Sequence, residues 1–441
     1  RLRAALCCTL LGVLSIGTHF VEAADPESSW SQFRGPAGDG HALTQGVPLQ
    51  WSETEGTTWK TAIPGRGWSS PVAEDGRIWM TTAYETEATK EERAKLLSGN
   101  TGSQPLSTVS SVKLQAICVD AKSGRLLCDV PLLDIAFPDP IHFLNSYASP
   151  TPVIENGRLY CHFGTHGTVC VDTKTQQVVW KNQDLHLKHE NGPGGSPILW
   201  GNYVIFNCDG SDVQYIAALD KHNGTIAWKT DRSGKMNDNP QLKKSYGTPH
   251  IVTIDGTDQL VSPGADWLYF YDPATGNELH KVAYGELGFS IVPRPLVGHG
   301  MIYMCTSFMK SHLIAFRYAG VDKPEIAWRY KKSVSNQPSP ILVDDRIYFV
   351  SDKGGVVTCL NAKTGERVWT ERLGGNYSAS PLYADGRIYF SNREGVTAVL
   401  APGDTFRLLA KNRLAGRHMA SLIALDGAIF ARTEQALYRL D

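Results

Sequence analysis

Short apolar runs separated by turn residues recur along most of the chain. The clearest set lies between residues 339 and 370, where four such runs are divided by Asp-Asp, Lys-Gly-Gly and Lys-Thr-Gly. Enrichment in β-branched and aromatic residues favours strands, and no run is long enough for a typical helix. Glycine supplies the positive φ that tight turns need. The pattern therefore predicts a four-stranded antiparallel meander, about the size of one propeller blade.

Two markers show that this unit repeats. A turn of the form Asp/Asn-x-x-x-Gly follows the third run of most units, and a tryptophan often stands four residues after it. The first run of each unit is marked by a proline, at Pro71, Pro152, Pro197, Pro249, Pro295, Pro340 and Pro381. A period of about 40–50 residues with four strands per unit indicates a β-propeller.

The unit count predicts how the propeller closes. Seven full units are followed by an eighth that begins at His418 and reaches Asp441 after only three strands. Residues 57–61, near the other end, resemble a Trp-bearing fourth strand. We therefore predict an all-β, eight-bladed β-propeller of four-stranded antiparallel blades, closed by an N-terminal strand that completes the last blade. Closure removes exposed sheet edges, and seven blades are the alternative.

The segments outside the repeats predict the domain organisation. In residues 1–24, two arginines precede an apolar run and a small-residue cleavage site, which is typical of a secretory signal peptide. Residues 25–46 form an N-terminal arm, and residues 47–441 form the propeller. An insertion at 84–113 interrupts the first unit, and its Glu-, Lys- and Ala-rich part, 85–97, predicts a surface helix. The chain is therefore expected to be exported to the periplasm or cell envelope.

The charge balance limits the classes of partner that we expect, and the number of cysteines bears on whether the chain has disulfides. The chain has 43 basic and 44 acidic residues, which favours neither nucleic acid nor an anionic membrane surface. No further segment predicts a membrane span, and we expect a monomer or part of a complex. Seven cysteines follow the signal, an odd number that does not indicate a disulfide framework. Cys118, Cys170 and Cys359 share one repeat position and are interpreted as small buried hydrophobes.

Two sets of residues carry the structural and functional expectations. The recurrent tryptophans are expected to pack between blades; they are Trp59, Trp180, Trp228, Trp328 and Trp369. Propeller topology brings the loops between second and third strands to the same face as the loops between blades. Polar and aromatic residues that converge there predict a ligand-binding funnel, with ordinary solvated loops as the alternative; they are His142, Asn145, Tyr147, His166, Asp209, Asp212, Tyr246, Asp266, Asn336, Tyr377 and His418.

The Asp-x-Lys-Thr-Gly-x-x-x-Trp turn resembles the repeat signature of pyrroloquinoline-quinone (PQQ) propellers, over residues 51–441. One branch of that class comprises the quinoprotein dehydrogenases, and another comprises the BamB-type assembly proteins, which use the fold as a scaffold without cofactor. The chain is most similar to exported PQQ-like repeat proteins of planctomycetes. That likeness rests on five strings, at 30–36, 144–150, 194–198, 212–215 and 260–264.

The dehydrogenase resemblance implies residues that the chain does not supply. Those enzymes hold PQQ between a Trp and a disulfide of adjacent cysteines, and they hold Ca²⁺ through carboxylate and amide oxygens. The only adjacent cysteines here, Cys7 and Cys8, lie in the signal segment, and no Cys-x-x-Cys-His haem motif exists. No residue is therefore assigned as catalytic. The His162/His166 and His186/His189 pairs lack a third ligand at useful spacing, so no metal site is predicted.

These observations predict an exported, non-catalytic scaffold that binds a protein or cell-envelope ligand on its funnel face, with no cofactor. The alternative is a PQQ- and calcium-dependent, or metal-dependent, oxidoreductase of the quinoprotein class. A third possibility is a polysaccharide-binding or -cleaving propeller, which the aromatic loop residues suggest.

Overall fold

The computed structural model describes residues 29–98 and 105–441. The predicted signal peptide, 1–24, lies outside the described residues. The described chain forms eight four-stranded antiparallel sheets that follow one another in sequence order as the blades of a propeller. The prediction of an all-β, eight-bladed propeller is therefore confirmed.

The blades share a simple up-and-down order of strands. Blade 1 consists of Val72–Glu74, Arg77–Glu87, Val109–Asp120 and Leu126–Ala136, and blade 2 of Val153–Glu155, Arg158–His162, Thr168–Asp172 and Gln177–Asn182. Blade 3 consists of Ile198–Trp200, Tyr203–Asp209, Gln214–Asp220 and Ile226–Asp231, and blade 4 of His250–Ile254, Thr257–Pro263, Trp267–Tyr271 and Glu278–Ala283. Blade 5 consists of Leu296–Gly298, Met301–Cys305, Leu313–Arg317 and Glu325–Tyr330, and blade 6 of Ile341–Val343, Arg346–Val350, Val356–Asn361 and Arg367–Arg372. Blade 7 consists of Leu382–Ala384, Arg387–Ser391, Val396–Ala401 and Arg407–Arg413, and blade 8 of Ile423–Leu425, Ala428–Arg432, Ala436–Leu440 and Thr57–Ala62.

A strand from near the N-terminus completes the last blade, as predicted. Thr57–Ala62 pairs antiparallel with Ala436–Leu440, and Trp59 faces Arg439 across that ladder. The Thr58 hydroxyl also donates to the carboxylate of Asp441. Strands from near both termini therefore share one sheet, and their pairing closes the ring.

Seven of the eight boundaries between neighbouring blades carry a hydrogen bond to a buried hydroxyl, and we call this set the hydroxyl ring. The residue before the first-strand proline is Ser or Thr in most blades, and its hydroxyl accepts a hydrogen bond from the backbone N–H at the same position of the preceding blade. Blade 5 has Arg294 there, which donates its N–H to Ser339. The bonds measure 2.9–3.1 Å and link Ser70 to Thr151, Thr151 to Ser196, Ser196 to Thr248, Arg294 to Ser339, Ser339 to Ser380, Ser380 to Ser421 and Ser421 to Ser70.

The N-terminal arm runs across the axis. Trp30 bridges to Ala73 of blade 1, whereas Ala42 donates its N–H to Tyr383 O of blade 7 at 2.8 Å. Between these points the Arg34 guanidinium donates to Pro340 O at 2.9 Å. The Thr44 hydroxyl accepts from Gly427 N, in the turn between the first two strands of blade 8. The arm therefore covers the channel on the face that carries these turns.

The insertion in blade 1 is narrower than predicted. Its flanking strands pair beyond the predicted boundaries, with Tyr84 opposite Lys113 and Glu87 opposite Val109. The helix spans Lys90–Leu97 rather than 85–97, since residues 85–87 continue the second strand. It begins after Thr89, whose hydroxyl accepts from Glu92 N while the Glu92 carboxylate accepts from Thr89 N. Pairing with the long third strand outweighs the helix propensity of this polar segment.

Two short ribbons stand on the funnel side of the blades. Leu106–Ser107 pairs with Ile141–His142, and Gly288–Phe289 pairs with Phe308–Met309. No helix among the described residues is both long and apolar enough to cross a membrane.

The five predicted tryptophans lie at the boundaries between blades. Each indole N–H donates to a backbone carbonyl of the next blade, close to its turn between third and fourth strands. The acceptors of Trp59, Trp180, Trp228, Trp328 and Trp369 are Ala121, Lys221, Pro273, Ala362 and Gly403, at 3.3, 3.0, 3.2, 3.1 and 3.0 Å.

Candidate ligand-binding face

The funnel face is formed by the loops between blades and by the loops between second and third strands. All eleven predicted ligand-binding residues lie in or next to these loops. More than half of them are buried in the fold; their exposed fractions are Tyr147 0%, Tyr377 1%, His418 1%, Asp209 2%, Tyr246 7% and Asp266 8%.

Asp209 forms a buried ion pair instead of facing the funnel. Both carboxylate oxygens accept from the Arg232 guanidinium, at 2.9 and 2.8 Å, and the two side chains are 1% and 0% exposed. The guanidinium also lies over the Tyr269 ring, 4.8 Å from its centroid. A buried carboxylate needs such a partner because its transfer out of water is costly. Asp209 is therefore part of the packing between blades 3 and 4.

The Asn145 side chain forms hydrogen bonds with the loop between blades 2 and 3. Its amide nitrogen donates to Asn191 O and Pro193 O at 2.7 and 3.0 Å. Its amide oxygen accepts from Ser146 N and from the Ser149 hydroxyl. These contacts use the hydrogen-bonding groups that a ligand would otherwise need.

The predicted aromatic residues also make contacts within the protein. The Tyr147 hydroxyl donates to Asp139 O at 2.8 Å, and its ring lies 5.7 Å from that of His166. Burial lowers the pKa of His166 to about 4. The Tyr246 hydroxyl donates to His189 O, and the two rings stack at 6.2 Å.

Asp352 organises the funnel side of blade 6, although the sequence analysis did not single it out. Its carboxylate accepts from the backbone N–H groups of Asn336 and Gln337 at 2.5 and 2.8 Å, and its carbonyl accepts from Tyr377 N at 2.8 Å. Arg393 donates to the Gln337 side chain at 3.0 Å. Asn336 and Tyr377 are thus both held by Asp352, Asn336 through the carboxylate and Tyr377 through the backbone carbonyl.

The remaining predicted residues are dispersed. Asp212 is exposed and accepts from Lys188 N at 2.7 Å. Asp266 accepts from Asn237 N at 3.2 Å, and burial raises its pKa. The pKa of His142 is lowered by burial and by Arg393. The eleven residues therefore do not form one set of side chains around a ligand.

His418 differs from the others because it is buried without a polar contact. Among the described residues, neither its Nδ1 nor its Nε2 has a hydrogen-bond partner. Burial lowers its pKa to about 4, with a weaker opposing effect from Glu53. The imidazole is therefore neutral at neutral pH.

Four exposed apolar side chains form what we call the apolar rim. Phe137 and Phe143, 57% and 44% exposed, lie between blades 1 and 2, while Phe308 and Met309, 48% and 67% exposed, lie on blade 5. Phe137 and Met309 have φ angles of 48° and 83°. Bulky residues rarely adopt this left-handed conformation, which costs of order 1–3 kcal/mol. The fold thus keeps apolar side chains at the edge of the funnel face at an energetic cost.

A groove of 390 Å³ adjoins Met309. Its lining includes Lys310, His312 and Lys331, and Ser311 and Ser333 provide hydroxyls. The two lysines beside exposed apolar side chains suit a ligand that is both acidic and apolar, whereas burial and the neighbouring cations lower the pKa of His312.

The described residues do not fit PQQ and calcium as the dehydrogenases hold them. In the described ranges, no three His, Cys, Asp or Glu side chains are placed to hold a metal ion, and no two cysteines are neighbours in sequence. Ca²⁺ requires several hard oxygen ligands. The buried carboxylates of Asp209 and Asp352 are bound to donors of the protein itself.

The sequence family described as outer membrane protein assembly factor BamB matches residues 42–230 and 212–441. Together these two overlapping matches cover the whole of the predicted propeller, residues 47–441. The chain belongs to this family. No curated protein matches the chain significantly.

Solved structures similar to this BamB-family chain differ widely in their named roles. BamB from Moraxella catarrhalis aligns with a TM-score of 0.52 and 14% identity, over 76% of this chain and 100% of that one. The quinohemoprotein alcohol dehydrogenase from Comamonas testosteroni aligns at 0.59 and 10%, over 94% and 81%. The computationally designed protein Ika8 aligns at 0.54 and 12%, over 86% and 99%. At such low identity these likenesses establish the fold, not the role.

Proposed function

We propose that this chain is an exported, non-catalytic scaffold of the periplasm or cell envelope, which binds a protein or envelope ligand through the apolar rim. The observation that carries the proposal is the rim itself. Phe137, Phe143, Phe308 and Met309 are exposed, and two of them stand on left-handed backbone. Aromatic residues and methionine are enriched at the cores of protein interfaces relative to the rest of the surface.

The interior of the funnel supports a scaffold rather than an enzyme. Side chains that usually serve as acids or bases are here tied to neighbouring loops, as Asp209 is to Arg232 and Asp352 to two backbone N–H groups. A general base must reach its substrate within hydrogen-bonding distance. Binding without a cofactor is part of this proposal, and the description of the family as an assembly factor supports a binding role.

The groove beside Met309 suggests the chemistry of the ligand. Lys310, Lys331 and His312 line it, next to the exposed side chains of Phe308 and Met309. A partner segment that carries carboxylates beside apolar residues would match both features. Any other ligand from the cell envelope would need the same combination of acidic and apolar groups.

Site-specific photo-crosslinking tests the rim directly. A photoreactive phenylalanine analogue is placed at Phe308 or Phe143 in cells that naturally make the chain, with the same analogue at Leu408 as the control. Leu408 is 40% exposed but lies on the outer strand of blade 7. We expect one defined adduct from both rim positions and none from position 408. Adducts that are equal at all three positions, or absent from the rim, would contradict the proposal.

Two further experiments separate the alternatives. Replacement of residues 88–108 by a short turn removes the helix and the strand Leu106–Ser107 that pairs beside Phe143. If the propeller still folds, loss of the adduct from position 143 supports this part of the rim as the interface. Calorimetric titration of residues 25–441 with PQQ and Ca²⁺ should show no binding. Tight one-to-one binding would favour the oxidoreductase, and alcohol oxidation with an artificial dye acceptor would then be assayed.

A further inference from the structure

We propose that Cys118 and Cys128 form a reversible cross-strand disulfide in blade 1. The two cysteines lie directly opposite each other in the ladder between the third strand, Val109–Asp120, and the fourth, Leu126–Ala136. Cys118 is 1% exposed, whereas Cys128 is partly exposed. The proposal concerns a modification site that is separate from the apolar rim.

The strand register satisfies the distance requirement of a disulfide. Directly opposed residues of an antiparallel pair have Cα atoms about 4.5–5.5 Å apart, and their side chains lie on the same face. Disulfides need Cα separations of about 4.4–6.8 Å. Among the described cysteines, only this pair faces another cysteine across a ladder. Cys170 and Cys359 face Trp180 and Trp369.

Position 128 corresponds to the Trp position of other blades. Cys118 has the same place in the ladder as Cys170 and Cys359, and its partner is Cys128 where theirs is tryptophan. Blade 1 therefore lacks the indole that anchors an outer strand to the next blade. A covalent bond between the third and fourth strands would secure this strand instead, and its end leads directly to Phe137 of the rim.

The local chemistry assigns different roles to the two thiols. A hydrogen bond from Cys118 lowers the pKa of Cys128, and the same contact raises the pKa of Cys118. Cys128 is also the more exposed thiol. Because the thiolate is the nucleophile in thiol–disulfide exchange, Cys128 is the attacking group and Cys118 the resolving one.

The oxidant is a small disulfide, for which oxidised glutathione serves as the probe. The Cys128 thiolate attacks one sulfur, so that a mixed disulfide forms and one glutathione thiolate leaves. Cys118 then loses its proton and attacks Cys128 Sγ, which closes the protein disulfide and releases the second glutathione. One disulfide is reduced, two protein thiols are oxidised, and their two protons pass to the glutathione thiolates.

Peptide mapping tests the bond. Folded chain is equilibrated with oxidised glutathione, denatured with a thiol-blocking reagent present, and digested with trypsin. Cleavage at Lys122 and Arg125 places Cys118 and Cys128 in separate peptides, 114–122 and 126–158. We expect these to be joined in one species that dithiothreitol separates. Recovery of both peptides singly, with blocked thiols, would overturn the proposal.

Two variants test the assigned roles. Cys118→Ala should leave Cys128 as a stable mixed disulfide with glutathione, whereas Cys128→Ala should leave Cys118 unmodified in the folded chain. Cys359, in peptide 354–363, is the internal control and should be blocked equally with and without oxidant. Oxidation of the unsubstituted chain should also raise Tm, because a cross-link restricts the unfolded state. An unchanged Tm together with unlinked peptides would contradict the proposal on both counts.

Discussion

Gly224 of blade 3 lies directly against the indole of Trp180 in blade 2. A β-carbon at position 224 would come within 2.4 Å of Trp180 Cε3, and the residue has a φ of 75°. Other Trp–Gly pairs across blades have the same relationship; they are Trp59 with Gly124, Trp228 with Gly276 and Trp328 with Gly365. Blade 1 has Cys128 in place of the tryptophan, and the next blade has Gln176 in place of the glycine. Tryptophan in one blade is thus accompanied by glycine in the next at four boundaries, whereas Trp369 packs against Phe406 of blade 7.

Gly224→Ala should destabilise the propeller by about 1–3 kcal/mol, because the new methyl group overlaps the indole and the residue must keep a left-handed conformation. Urea unfolding, followed by tryptophan fluorescence and far-ultraviolet circular dichroism, measures the change. The expected sign is a lower unfolding midpoint with an unchanged slope.

Gln176→Gly is the matched control at the same turn position, where φ is 61°. Glycine removes the strain of the left-handed conformation at position 176, but it loses more conformational entropy on folding than glutamine does. These effects oppose each other, so the free energy of unfolding should change by less than about 1 kcal/mol. A gain in stability from Gln176→Gly as large as the loss from Gly224→Ala would show that the turn, not the indole contact, requires glycine.

Ser380→Ala should cost about 1–3 kcal/mol, since it leaves the buried N–H of Ser339 without its acceptor. Ser380→Thr keeps the hydroxyl and should recover most of the loss. Thermal unfolding of both variants gives the comparison. If threonine is as destabilising as alanine, the hydroxyl ring is not what joins these blades.

The repeat markers explain why the propeller architecture could be predicted from the sequence, whereas the path of the N-terminal arm could not. Regularly spaced prolines, Asp–Gly turns and tryptophans predict blades one at a time, and counting them predicts closure. The hydroxyl ring also left a signal, because the residue before each of those prolines is Ser, Thr or Arg294. The arm has no periodicity, and its path depends on contacts with distant residues, such as Arg34 with Pro340 O.

Topology predicted which loops share the funnel face, but not where their side chains point. Asp209 is on that face by position, yet the buried Arg232 guanidinium draws its carboxylate inward. The rim residue Phe308 has no sequence signature, because its exposure results from the ribbon with Gly288–Phe289. Local patterns therefore locate the candidate site, whereas its composition depends on tertiary contacts.

Asp209→Asn should destabilise the protein by about 3–5 kcal/mol, because it leaves the Arg232 charge buried without its counter-ion. The double variant Asp209→Leu/Arg232→Met should lose less than the sum of its single variants, since both charges are removed together. A double-mutant cycle by urea unfolding measures the coupling. Additive losses would show that the two side chains do not act as a pair.

His418→Leu should make the stability of the propeller less dependent on pH. Burial lowers the pKa of His418 in the folded protein to about 4, against an ordinary value near 6.5. Between these values the unfolded chain binds more protons than the folded one, so stability falls as the pH drops from about 6.5 towards 4. The difference between the two pKa values corresponds to about 3 kcal/mol of folding stability, which is present above pH 6.5 and lost near pH 4.

Leucine removes this titration and also removes a buried ring that has no polar partner within the described ranges. The variant should therefore be about as stable as the unsubstituted protein at pH 7 and more stable than it at pH 4.5. Urea midpoints at several pH values between 4.5 and 7.5 measure both effects, with His222→Leu as the exposed control. Parallel pH profiles for His418→Leu and the unsubstituted protein would show that the His418 imidazole gains its proton as readily in the folded chain as in the unfolded one.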